Sequence, residues 1–154
     1  MLEFWSPRVD RRRRSRDVPG IVDALRTGGL RTRRAAANAL VAIPDVRATD
    51  ALVSALTDDD ELVRTNAALA LGELTGPQSE GEVLKVQGAL VHALRDPQPR
   101  VRAMAASALA RAKSAEALEP LIGALQDEDP LVRRTATVVL EGFDDPRAAE
   151  ALAR

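Results

Sequence analysis

The chain has no cysteine, no tyrosine and a single histidine among its 154 residues. Without cysteine there is no disulfide framework, no thiolate nucleophile and no sulfur-bound metal. One histidine, His92, leaves too few parts for a metal cluster, a Ser–His–Asp set or a Cys–His pair. Aromatic residues make up 2% of the sequence, which leaves few rings for stacking bases or lining a ligand pocket. No apolar run approaches the length of a bilayer span, and "MLEFWSPRV" lacks the basic start and apolar stretch of a signal peptide. A net charge of -1 at pH 7 gives no overall pull toward nucleic acid or an anionic membrane. The expectation is a soluble, cytoplasmic protein with no cofactor and no membrane association.

Alanine and leucine dominate instead, so the core must be built from small side chains on closely packed helices. Four segments align without gaps: "TRRAAANALVAI", "VRTNAALALGEL", "VRAMAASALARA" and "VRRTATVVLEGF". Their second residues, Arg33, Arg64, Arg102 and Arg133, are spaced 31, 38 and 31 residues apart. Ahead of each lies another registered segment, "IVDAL", "LVSAL", "LVHAL" and "LIGAL", and a partial copy ends in "ALAR". Apolar residues recur in both kinds at steps of three and four, the period of an amphipathic helix. Asp129 and Pro130 read as the cap and first turn of a second helix, and Pro99 repeats the device. The unit is therefore helix, short turn, helix, with the junction at Gly29 the weakest cap.

These segments resemble the HEAT-like repeats of the phycocyanobilin lyase type, whose pattern is D-x-x-x-x-V-R-x-x-A-A-x-A-L-x-x-L. Asp58, Asp96 and Asp127 stand six residues before Arg64, Arg102 and Arg133, while Thr27 and Thr32 break the pattern in the first unit. The resemblance implies an all-α, right-handed α-solenoid of the armadillo/HEAT kind, with about four and a half helix pairs and a charged N-terminal capping helix. Residues 1–17 form the lead-in and 18–154 the repeat domain, with units near 18–44, 45–75, 76–113 and 114–144 and a half unit over 145–154. The extra length in "TGPQSEGEV" reads as a surface loop and not another helix. The aspartate–arginine pairs are expected to form a structural ladder along the turns.

Stacked pairs bury each other's apolar faces and leave a curved surface. In the family this resembles, second helices line its inner side. Subtracting the buried positions leaves Arg34, Asn38, Thr65, Asn66, Leu69, Met104, Ser107, Arg134 and Val138 as the candidate protein-binding face. Its apolar members, flanked by Arg34 and Arg134, would suit an acidic helix or peptide.

Charge is divided unevenly. Residues 1–34 hold ten basic and four acidic residues, and the remainder holds twelve and nineteen. The basic end, Arg11, Arg12, Arg13, Arg14 and Arg16, reads as the charged cover of the stack, since consecutive helical residues fan around the axis. HEAT-like DNA glycosylases keep phosphate contact open as an alternative, and lyase subunits keep open a chromophore-handling one. HEAT-like deoxyhypusine hydroxylases carry His-Glu pairs for iron, whereas His92 is followed by Ala93. The acidic run "TDDDE" lacks the alternating ligands of a calcium loop, and no Gly-rich phosphate loop is present. The reading is a non-enzymatic interaction module or adaptor, monomeric or weakly self-associating through its termini.

Overall fold

The computed structural model describes residues 17–74, 79–112 and 115–154. In chain order the described elements are α1 (Val18–Thr27), α2 (Leu30–Ala42), a 3-10 turn (Val46–Ala48), α3 (Thr49–Ala55), α4 (Glu61–Glu73), α5 (Glu80–Ala93), α6 (Pro99–Ala112), α7 (Ala115–Ala124), α8 (Pro130–Glu141) and α9 (Pro146–Leu152). There is no strand among the described residues. Successive helices pair antiparallel and the pairs stack into an α-solenoid. The even-numbered helices pack along one another extensively and the odd-numbered ones touch only sparsely, so the even layer lies on the tighter, inner side. The lead-in helix expected before Asp17 lies outside the described residues.

Helix starts follow from side chains that satisfy free backbone N–H groups. Asp60 accepts from the backbone of Leu62 and Val63, Asp129 from Leu131 and Asp145 from Arg147. Ser79 opens α5 with a capping box: Glu82 donates its N–H to the serine hydroxyl and its carboxylate accepts the Ser79 N–H. The stretch expected to loop out as far as Val83 is therefore helical from Glu80 onward, a correction that the Ser-x-x-Glu pattern explains. Gly29 opens α2 with no side-chain cap, at an extended φ of -65°. Nothing lies within 4 Å of where its Cβ would stand. Gly29→Asp is accordingly expected to raise stability by about 0.3–1 kcal/mol in a urea titration.

The core runs almost unbroken from Val18 to Ala148. Leu40, Leu71, Leu109 and Leu140 occupy the same register in the four second helices, and all are buried. Each contributes about 1.5–3 kcal/mol through removal from water. Ala37, Ala68 and Ala106, also in register, are wholly buried where one second helix meets the next. Small side chains at this position let the inner helices approach closely, and Gly72 brings α4 and α6 closer still.

Candidate functional site

The ladder arginines and aspartates come together, but in a different register from the one their spacing indicates. Arg64 does not bond the carboxylate of Asp58, six residues earlier. Its Nη1 donates to the backbone carbonyls of Asp58 and Asp59, and its Nε and Nη2 grip the Asp96 carboxylate of the next unit at 2.7 and 3.1 Å. Arg102 likewise takes the carbonyls of Asp96 and Pro97 and holds Asp127 at 2.9 and 2.8 Å. Arg33, in the unit whose own turn carries Thr27, holds Asp58 at 2.7 and 3.1 Å. Arg33, Arg64 and Arg102 each fasten their own turn and receive the carboxylate of the following unit, in the bidentate geometry that makes such pairs strong.

Electrostatics follow the same direction. Burial pushes the Asp58 carboxyl up, and hydrogen bonds from Arg33 and the Asp60 N–H more than reverse this, leaving it lowered. Asp127 is lowered in the same way by Arg102 and the Asp129 N–H against its burial. Arg34 pairs with Asp60 at 2.6 Å and, with the N–H groups of Val63 and Leu62, brings that carboxyl down to about 2. Below about pH 4 the unfolded chain takes up protons that these folded carboxylates still exclude. Their stabilisation is complete above that pH and is lost as pH falls through about 2 at Asp60. Thermal melts between pH 5 and 2 are expected to show this decline, with a shallower one in Asp60→Asn.

The candidate protein-binding face is only partly assembled as expected. Asn38, Leu69, Ser107 and Val138 occupy one register in four successive second helices; Asn38 and Val138 are exposed, Leu69 and Ser107 half-buried. Val138 is 62% exposed. Asn66 and Met104 form a second half-buried column beside them, where Met104 also packs against the core. Two residues depart from the expectation. Thr65 is buried, its hydroxyl without a hydrogen-bond partner among the described residues. Arg34 is tied to Asp60 and does not stand free beside the apolar residues. Arg134 is exposed and makes no hydrogen bond or ion pair among the described residues.

His92 is exposed on α5 and lines a groove of about 460 Å³ between two turns, together with Asp59, Arg64, Arg95 and Asp96. Among the described residues no group of three or more histidines and carboxylates is placed to hold a metal ion. None of the described helices is long and apolar enough to cross a membrane. The basic end, Arg11 to Arg14 and Arg16, lies outside the described residues.

Comparison with solved structures shows the fold in several settings. The chain superposes on the complex of CpcE and CpcF of phycocyanin lyase from a Nostoc species with a TM-score of 0.73 at 21% identity, covering 85% of this chain and 86% of that one. A designed armadillo repeat protein in complex with the peptide (KR)4 matches at 0.64 and 18% identity, over 95% and 80%. Human deoxyhypusine hydroxylase in complex with glycerol matches at 0.65 and 28% identity, over 84% of this chain but 44% of its own. No curated protein matches the sequence significantly. The family model for HEAT repeats matches residues 12–85 and 88–154. With both its halves covered by that model, the chain belongs to the HEAT-repeat family.

Proposed function

We propose that the chain is a non-enzymatic protein-interaction module that receives a helix or extended peptide along its second-helix face. The observation that carries this reading is the column of Asn38, Leu69, Ser107 and Val138, one register repeated across four units and open to solvent at its ends. A regular row of mixed apolar and amide side chains suits a partner with its own periodic anchors. Because Arg34 is neutralised by Asp60, an acidic partner residue has its counterpart at the Arg134 end of the row. The likenesses to an assembled pair and to a peptide-bound design are consistent with this mode. Iron chemistry of the His-Glu kind has no second histidine in this sequence to draw on.

Leu69→Glu/Val138→Glu places charge in the row while sparing Met104, which packs against the core. This variant is expected to lose the partner recovered from the native host with wild-type chain, at a melting temperature within about 4 °C of wild type. A folded variant that keeps that partner would overturn the assignment. The basic lead-in supports the nucleic-acid reading on charge alone, and a duplex titration at low and high salt separates the two: salt-dependent duplex binding would favour phosphate contact.

A further inference from the structure

The edge of the stack where each first helix turns into its second presents charges of alternating sign. In chain order they are Arg26, Asp59, Arg95 and Glu128, all four exposed. No hydrogen bond or ion pair holds the side chain of Arg26, Asp59 or Arg95 among the described residues; Asp59 gives only its carbonyl, to Arg64. Glu128 approaches Arg102 at 3.5 Å with its side chain 88% exposed. The neighbouring aspartates of these turns are already held from within, Asp58 by Arg33, Asp60 by Arg34 and Asp96 by Arg64. Arg26 and Asp59 both line a groove of about 380 Å³ between the first two turns. Asp59 and Arg95 both line the next, the groove of about 460 Å³ that also holds His92. Consecutive charges therefore share one edge, with a groove between each pair.

A row of plus, minus, plus, minus reads minus, plus, minus, plus when reversed. It complements itself when two copies lie antiparallel about a two-fold axis, the isologous arrangement of most dimers. Asp59 then meets Arg95 of the second copy, and Arg26 meets Glu128 of the second copy outside it. A parallel arrangement would set each charge against itself. The next column obeys the same symmetry. Arg31, Leu62, Arg100 and Leu131, each the second residue of its second helix, are all exposed. Antiparallel copies place every one of these arginines over a leucine, where the aliphatic stem covers apolar surface and the guanidinium stays in water. The central contact, Asp59 to Arg95, lies on the two turns that have a described unit on either side, so it does not depend on what flanks the stack.

We infer that this edge is a self-association surface on which a second copy of the chain lies antiparallel, the two-fold axis passing over the groove between the second and third turns. It is distinct from the second-helix row, to which none of these residues belongs.

Sedimentation velocity of the full chain is expected to show a concentration-dependent dimer at about 20 mM salt that dissociates at about 500 mM, because exposed ion pairs are screened. Asp59→Arg and Arg95→Asp each turn the central pairs into like charges and are expected to weaken dimerisation at least about tenfold. Mixed in equal amounts, the two variants are expected to form a heterodimer within about threefold of wild-type affinity, since each reversed charge then faces its opposite on the other chain. Recovery on mixing cannot come from a misfolded variant. A wild-type monomer at low salt, a dimer indifferent to both substitutions, or no recovery on mixing overturns the inference. A monomeric wild type whose native-host partner is lost in Asp59→Arg would assign the edge to another protein, and overturns it equally.

Discussion

Arg102→Ala is expected to lower the stability of the stack by about 3 kcal/mol, equivalent to roughly 6–12 °C in melting temperature. Arg102 is 6% exposed and is the most deeply buried member of the ladder. Its removal strips both hydrogen bonds from the Asp127 carboxylate and the donor from the carbonyls of Asp96 and Pro97. A partly buried carboxylate is then left with the Asp129 N–H alone, and an unpaired charge in that setting costs more than the intact pair contributes. Arg102→Lys should recover only part of the loss, because an ammonium lacks the planar fork that reaches two oxygens and two carbonyls together. Arg133→Ala is the internal control. It occupies the same register but holds no carboxylate among the described residues, so a loss below about 1 kcal/mol is expected. Urea titrations of the three variants measure the order directly.

Gly72→Val is the second large effect, with an expected loss of about 2–3 kcal/mol. A Cβ at Gly72 would stand 2.9 Å from the Ala108 Cα and 3.0 Å from its Cβ. The obstacle is the backbone of the facing helix, so the clash is relieved only by moving α4 and α6 apart, which loosens their shared alanine seam. Gly72→Ala is informative because alanine gains about 1 kcal/mol over glycine in an open helix interior. A net loss there shows that the close approach outweighs propensity. Gly88 supplies the contrast: it lies inside α5 with nothing within 4 Å of a Cβ. Gly88→Ala should therefore stabilise the chain by about 0.5–1 kcal/mol.

Both predictions turn on contacts between units, and those were the least legible part of the sequence. The repeat itself was readable, since apolar residues at helical spacing recur in four registered copies and each Asp or Ser before a helix marks its start. The ladder residues were readable as a set, but their pairing was not. In a periodic chain Asp58 stands in the same register as Asp96, so spacing alone cannot tell whether Arg64 reaches back six residues or forward to the next unit. The structure shows the forward reach, so the ladder ties each unit to the next.

Burial of the inner face was hidden for a related reason. Arg34, Thr65, Ala103 and Arg134 share one register, exposed in the first and last units and buried in the middle two. No single copy of the repeat carries that difference, because it arises from having a neighbour on both sides. The column of Asn38, Leu69, Ser107 and Val138 was more legible because its middle members are only half-buried, where Thr65 and Ala103 are buried outright. The start of α5 at Ser79 was present in the sequence as a Ser-x-x-Glu signal, overshadowed by Gly76, Pro77 and Gly81.

A double-mutant cycle tests the tie between units most directly. Arg64→Ala and Asp96→Ala, alone and combined, are expected to show a coupling energy of about 1.5 kcal/mol or more, whereas Arg64→Ala combined with Asp58→Asn should be additive within about 0.5 kcal/mol. Strong coupling of Arg64 to the Asp58 side chain, with none to Asp96, would contradict the account.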